Sequence, residues 1–132
     1  MRQEFYRPLK KKFDQMDQMD QQRKNQKIKL RRELKRIVRR LVRNYAPEKI
    51  ILFGSLARQS EGIWSDIDLA VIKKSRRRFI DRLGDVLLAV NPKEAVDILV
   101  YTPEEVQKME EQKNFFWTHD INAQGKILYQ RG

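Results

Sequence analysis

The sequence predicts an α/β domain, with a small mixed sheet of about four strands and helices packed against it. Short apolar runs rich in Ile, Val and Leu have the length and composition of strands, at 50–53, 67–72, 95–101 and 126–129. Segments with an apolar residue every three or four positions separate these runs, which is typical of helices. With 132 residues, the chain is long enough for one domain with its own hydrophobic core.

The N-terminal third predicts a long helix, because neither Gly nor Pro occurs between Pro8 and Pro47 and good helix formers dominate. An apolar stripe at helical spacing occupies only its second half and should pack on the sheet: Leu30, Leu34, Ile37, Val38, Leu41, Val42 and Tyr45. Residues 1–27 offer little apolar surface. They are predicted to be a basic, Gln-rich helical extension or a partly ordered tail, and residues 28–132 to be the domain proper.

The net charge of +11 is placed unevenly. Residues 1–45 hold 16 basic and 5 acidic residues, whereas residues 46–132 hold 13 of each. A nucleic acid or an acidic protein would therefore contact the N-terminal third. Nucleic-acid binding through residues 23–43 is not favoured, because no platform of aromatic residues accompanies the basic ones.

Acidic residues open the second predicted strand. Asp66 and Asp68 are two positions apart, so their carboxylates project from one face where the chain enters the sheet. Two carboxylates about 4 Å apart repel by about 4 kcal/mol at an effective dielectric near 20, which calls for a cation or a proton. Oxygen ligands of this kind suit Mg²⁺ or Mn²⁺.

The end of the first strand predicts a phosphate site. Gly54 allows a phosphate to approach the backbone, and Ser55 begins a short helix whose free N–H groups point towards that phosphate. A third carboxylate, Asp97, lies inside the apolar run of the third strand, where a lone acidic residue needs a functional reason.

The rest of the chain predicts alternating helices and strands. Ser75 is a candidate N-cap for a helix with an apolar stripe from Phe79 to Val90, and Asn91-Pro92 ends it. The segment 102–105, Thr-Pro-Glu-Glu, has the pattern of a capping box that starts the next helix, which runs to about Gln112. A further helix is predicted from Asn114 to Gln124, followed by the last strand.

Several residues allow two interpretations. Arg58 could bind a phosphate or pair with Asp66 or Glu61, and Ser65 could contact a phosphate or serve a turn. The lone His119 is interpreted as a surface or helix-end residue. Of the adjacent aromatic residues at 115–117, Phe-Phe-Trp, two are expected in the core and at least one is expected to be exposed or to cover a partner.

The combination of Gly54-Ser55, ten intervening residues, Asp66-Ile67-Asp68 and a later strand Asp resembles the minimal nucleotidyltransferases of the DNA polymerase β-like superfamily. The resemblance covers roughly Ile28 to Tyr129. It implies a polymerase β palm-like fold, with Asp66 and Asp68 holding two Mg²⁺ ions, or Mn²⁺ as an alternative. Asp97 would share one ion and act as base for the acceptor hydroxyl, and Ser55 would bind phosphate.

The expected function is therefore Mg²⁺-dependent transfer of a nucleoside monophosphate, AMP by preference, from a nucleoside triphosphate to a hydroxyl. Small members of this family often accompany a HEPN-type helical partner in toxin–antitoxin pairs, and some adenylylate that partner. The first rival hypothesis is a non-catalytic antitoxin-like module that neutralises a helical partner by contact. The second is a nucleic-acid-binding protein. The oligomeric state is left open.

Composition excludes other classes. Without Cys, the chain has no disulfide, zinc–thiolate site or Cys nucleophile. No apolar run approaches the roughly 18 residues of a membrane span, and the N-terminus lacks the apolar core of a signal peptide. We expect a cytoplasmic protein without a membrane contact.

Overall fold

The computed structural model describes residues 2–58 and 66–132, and only the backbone of residues 2–10 and 13. The ranges are α1 (Arg2–Asn44), β1 (Lys49–Phe53), α2 (Gly54–Arg58), β2 (Ile67–Ile72), α3 (Phe79–Val90), β3 (Val96–Tyr101), α4 (Pro103–Glu111), the π-helical segment α5 (Phe116–Ala123) and β4 (Lys126–Gln130). Within these described ranges, no helix is both long enough and apolar enough to span a membrane.

The four strands form one mixed sheet in the order β3-β2-β1-β4. β1 runs antiparallel to both β2 and β4, whereas β2 and β3 are parallel. The predicted small mixed sheet with flanking helices is therefore confirmed. The parallel pair places the entries of β2 and β3 at one edge of the sheet, which is also the edge where β1 ends.

Each face of the sheet carries its own apolar core, because strand residues alternate between the faces. One face packs against α1, α2 and α3 around buried residues such as Ile37, Leu41 and Leu69. The other face packs against α4 and α5 around Ile51, Ala70 and Trp117. Both cores end near the edge where the predicted acidic residues lie.

The second half of α1 is held against the domain as its apolar stripe predicts. Leu30, Ile37, Leu41 and Tyr45 are buried, although Val42 at the end of the stripe is exposed. The described side chains from 11 to 25 are exposed. The helix therefore continues well before its first buried residue.

A partly buried ion pair holds α1 against the loop between α3 and β3. Glu33 is 5% exposed and accepts hydrogen bonds from the backbone N–H groups of Lys93 and Glu94. Arg36 donates to both carboxylate oxygens of Glu33, at 2.6 and 3.0 Å, and to the carbonyl oxygens of Val90 and Asn91. We call this set of contacts the α1 clamp. It fixes the backbone just before β3.

Two predictions about helix ends have different outcomes. The capping box before α4 is confirmed: the Thr102 side chain accepts from the Glu105 N–H, and Glu105 accepts from the Thr102 N–H. Ser75 is not the N-cap of α3, which begins at Phe79 after Arg78. The Ser75 hydroxyl instead accepts a hydrogen bond from the Arg77 N–H. It therefore stabilises a local turn three residues before the N-cap position of α3.

The apolar stripe predicted on α3 is only partly buried. Val86 and Val90 are in the core, whereas Phe79, Ile80 and Leu87 are substantially exposed. Arg82 is buried instead, and its guanidinium pairs with Glu105 and donates to the Val100 carbonyl oxygen. A charged side chain can replace an apolar one there because α4 supplies its partner.

Candidate active site

The register of the sheet brings two of the predicted acidic residues side by side. Asp68 lies opposite Asp97 on the parallel neighbour β3 and opposite Phe53 on β1. Residues in register point to the same face, so these three side chains share the face covered by α4 and α5. Asp66 precedes β2 and is exposed, Asp97 is exposed, and Asp68 is partly buried.

The surroundings raise the pKa of Asp68 from 3.8 to about 6. Burial is the largest cause, because it disfavours the charged form. The negative charges of Asp97 and Asp66 come next, and a hydrogen bond with Asp97 acts in the same direction. The positive charge of Arg58 opposes them. Among the described residues, the negative charge of the three carboxylates therefore exceeds the positive charge that Arg58 supplies.

Gly54 gives the Asp68 carboxylate its space. Gly54 has φ +75°, which residues with a side chain rarely adopt, and a Cβ at this position would overlap Asp68 Oδ2. The absence of a side chain is required both by the turn after β1 and by the carboxylate beside it. From the sequence, Gly54 was predicted only to let a phosphate approach the backbone. Its contact with a distant strand could not be predicted, because a single sequence carries no signal for it.

Two of the other predicted phosphate ligands, Ser55 and Arg58, lie next to this turn. Ser55 is in the first turn of α2 and is partly buried, and Arg58 ends the helix with an exposed side chain. Ser65 and Glu61 lie outside the described residues, so the interpretations that involve them stay predictions. The structure therefore gathers Gly54, Ser55, Arg58 and Asp68 at one end of β1 and β2.

The donor atoms fit a divalent cation of the Mg²⁺ class. Among the described residues, no three His, Cys, Asp or Glu side chains are grouped closely enough to hold an ion by themselves. Mg²⁺ does not need such a group, because it is usually bound by one or two carboxylates together with waters and substrate phosphates. Next to burial, repulsion between carboxylates raises the pKa of Asp68, and a bound cation would relieve that repulsion.

Comparison with protein families identifies the fold and the chemistry. Residues 35–132 match the family model described as "Polymerase beta, Nucleotidyltransferase". The chain belongs to this family. The polymerase β nucleotidyltransferase domain accordingly covers the sheet, its flanking helices and the last ten residues of α1, so the chain is a nucleotidyltransferase by family.

One solved structure agrees with the family at the level of the fold. A candidate nucleotidyltransferase from Sulfolobus solfataricus is similar over 81% of this chain and 86% of its own, with a TM-score of 0.55 and 19% identity. A mutant of the toxin–antitoxin MntA-HpeT is more distant: 24% identity, 72% of this chain and 70% of that chain, with a TM-score of 0.41. No curated protein matches significantly.

The aromatic residues at 115–117 are placed differently from the prediction of two core residues. Only Trp117 is buried, at 2% exposed, whereas Phe116 is 40% and Phe115 69% exposed. Two of the three are therefore accessible, because the short π-helical segment turns only one of them fully onto the sheet. His119 is a surface residue, as predicted, and its Nδ1 lies 2.7 Å from Asp120 Oδ1.

A surface depression of about 640 Å³ lies at the opposite edge of the sheet, near Glu48, Pro103 and Arg131. It contains none of the predicted site residues. The end of the sheet where Asp66, Asp68 and Asp97 lie, which we call the acidic edge, carries the carboxylate with the raised pKa and the positive φ of Gly54. These features are better indicators of chemistry than the volume of a depression.

Proposed function

We propose that the acidic edge transfers AMP from ATP to an acceptor hydroxyl, with Mg²⁺ as cofactor. The observation that carries this proposal is the position of Asp68, which lies in register with Asp97 and has its Oδ2 in the space that a side chain at residue 54 would fill. Such a site is poised to bind positive charge next to a turn that a phosphate can approach. The family membership supports the same class of reaction.

Each residue has a proposed role. Asp66 and Asp68 would hold two Mg²⁺ ions, with Asp97 sharing one, while Ser55, Arg58 and the Gly54 backbone would bind the triphosphate. The role of Ser65 as a further phosphate contact is part of the same proposal. The bound metal would neutralise the triphosphate and the leaving pyrophosphate. Asp97 would accept the proton of the acceptor hydroxyl as the hydroxyl oxygen bonds to the α-phosphorus. The bond between the α-phosphorus and the oxygen that bridges to the β-phosphate would break, and pyrophosphate would leave.

Because small members of the family often accompany a HEPN-type helical partner, we propose a hydroxyl of such a partner as the acceptor. Mn²⁺ could replace Mg²⁺, since both prefer oxygen ligands. The rival proposal remains a non-catalytic module that neutralises such a partner by contact. The two differ in whether the acidic edge is needed, so one substitution separates them.

The experiment compares wild type with Asp68→Asn. The substitution keeps size and strand pattern and removes one charge from a repelling cluster, so the variant should fold and should be at least as stable as wild type at neutral pH. Nucleotide transfer to a co-expressed HEPN-type partner, followed by mass spectrometry, should fall about a thousandfold or more. This loss follows from the several kcal/mol that a metal ligand contributes to the transition state, at 1.36 kcal/mol for each factor of ten.

ATP titration by calorimetry gives an independent measurement. Binding should require Mg²⁺ and disappear with EDTA, because the triphosphate would otherwise face the carboxylates unscreened. Asp14→Asn, an exposed carboxylate on α1, is the matched control and should behave as wild type. Equal ATP affinity with and without metal would contradict the proposal, as would a wild type that labels nothing while Asp68→Asn still neutralises the partner.

A further inference from the structure

An accessible aromatic ring stands next to the acidic edge. The ring of Phe116 is 5.7 Å from the ring of Phe53, centroid to centroid, at an interplanar angle of 87°. In such an edge-to-face contact at least one face of the Phe116 ring is left uncovered by Phe53. The 40% exposure of the residue agrees with this geometry.

The position of Phe53 places this ring close to the candidate chemistry. Phe53 is the register partner of Asp68, so their Cβ atoms are about 4.5–5.5 Å apart on one face of the sheet. Phe53 also directly precedes Gly54, the residue of the turn that a phosphate would approach. The ring of Phe53 therefore lies between Phe116 on one side and the Asp68 carboxylate and the Gly54 turn on the other.

The segment that carries Phe116 is anchored through its neighbour. The Trp117 ring packs at 6.0 Å against Tyr101, and its indole N–H donates to Glu110 at 3.3 Å. The Trp117 backbone N–H donates to the Asn114 side chain at 3.0 Å. These contacts hold the start of α5 on the sheet, so the exposure of Phe116 belongs to a fixed backbone. A π-helical turn is a rare conformation that occurs frequently at functional sites.

We propose that the face of Phe116 that Phe53 leaves uncovered stacks on the base of the nucleoside triphosphate whose phosphates would lie at Gly54 and Ser55. This inference rests on the proposed function for the position of the phosphates. Aromatic rings recognise bases through their flat surfaces, and this contact tolerates any base because every base has such a surface. The larger purine rings of ATP and GTP should bind more tightly than CTP and UTP.

The test measures ATP and inorganic tripolyphosphate binding by calorimetry in the presence of Mg²⁺. Phe116→Ala should weaken ATP binding about 10- to 100-fold, the usual effect of removing one stacking side chain. Its affinity for tripolyphosphate should stay within about twofold of wild type, because that ligand has no base. Phe116→Trp should restore ATP binding.

The adjacent Phe115→Ala provides the matched control. Phe115 is more exposed than Phe116, and its ring stacks on His119 at 4.6 Å instead of on the sheet. Its removal should leave both affinities unchanged. Unchanged ATP affinity in Phe116→Ala, an equal loss of both ligands, or an equal effect of Phe115→Ala would each overturn the inference. A wild type that binds neither ligand would overturn the proposed function, and this inference with it.

Discussion

At the scale of single residues, the contact between Gly54 and Asp68 joins the two halves of the candidate site. The turn after β1 and the carboxylate of β2 occupy adjoining space, and the carboxylate fits only because Gly54 has no side chain. A change at either residue should therefore affect the other. This dependence makes Gly54 a sharper probe of the site than the exposed ligands around it.

We expect Gly54→Ala to destabilise the fold by at least about 1–3 kcal/mol and to weaken ATP binding. The cost arises from a positive φ and from overlap with Asp68 Oδ2. Gly84→Ala is the matched control: its Cβ would meet nothing within 4 Å, and it lies inside α3. It should stabilise the protein by about 0.5–1 kcal/mol. Urea unfolding of both variants measures the difference, and similar stability changes would refute this account.

That the described residues of the acidic edge would lie together could be predicted because their signals are local, whereas their roles stay predictions. Gly54-Ser55 and the pair Asp66 and Asp68 stand beside apolar runs, where such residues are unexpected. The roles that depend on packing between distant segments were missed. The burial of Arg82 depends on Glu105, and the exposure of Phe116 depends on how Trp117 anchors α5. Neither is encoded within one short stretch.

At the scale of elements, the α1 clamp connects the longest helix to the strand that carries Asp97. It uses Glu33, whose pKa is lowered from 4.5 to about 2 mainly by its hydrogen bonds from Arg36. Backbone hydrogen bonds from Lys93 and Glu94 add to this effect, although burial opposes it. Helix α1 is thereby part of the support for the acidic edge, although it packs on the opposite face of the sheet.

The clamp should contribute stability that depends on pH. Because the pKa of Glu33 is lower in the folded state, its contribution is present in full above pH 4.5 and is lost as the pH falls from 4.5 to about 2. Glu33→Gln should cost about 2–3 kcal/mol at pH 7 and much less at pH 2.5. Urea unfolding at several pH values tests this.

The exposed Asp17→Asn on the same helix serves as control for the clamp and should have no such pH dependence. A cost of Glu33→Gln that is equal at pH 7 and pH 2.5 would argue against the clamp as an ionic contact. It would indicate that packing, without a contribution from the charge of Glu33, holds the loop before β3.

The elements themselves were predictable where patterns repeat over several residues. The four strands and the end of α3 at Asn91 agree with the sequence prediction. The start of α3 and its buried face do not. Ser75 satisfies a turn instead of a helix end, and the apolar stripe is longer than the surface that β3 and α1 offer it. A hydrophobic pattern indicates what can be buried, whereas neighbouring elements decide how much is buried.

At the scale of the whole molecule, the positive charge is concentrated on α1. From Arg23 to Arg43 the helix has 11 basic residues and one acidic residue, Glu33. Among the described residues, the ion pairs of α1 involve only Lys29 with Glu94 and Arg36 with Glu33. Most of this charge faces solvent, on a helix that extends past the acidic edge.

Nucleic-acid binding through residues 23–43 is the disfavoured rival hypothesis, and it predicts binding without sequence preference, with an affinity that falls steeply between 50 and 200 mM salt. A gel-shift titration with duplex DNA measures this for wild type and for Arg31→Gln with Lys35→Gln and Arg39→Gln. The triple variant should reduce the slope of log affinity against log salt by roughly 3. The control variant replaces Lys108, Lys113 and Arg131 by Gln; these residues are exposed and lie outside α1, so the slope should change little. Equal effects of the two triple variants would indicate that net charge, and not the α1 surface, determines the affinity.

The length of α1 affects more than binding. Its 43 residues span about 65 Å at 1.5 Å per residue, whereas a compact chain of this size has a radius of gyration near 14 Å. Such a rod on a small body increases frictional drag and makes rotation in solution anisotropic. Gel filtration calibrated with spherical proteins would then overestimate the 15.9 kDa mass of a single chain. Light scattering, which does not depend on shape in this way, is the appropriate measure of how many chains travel together.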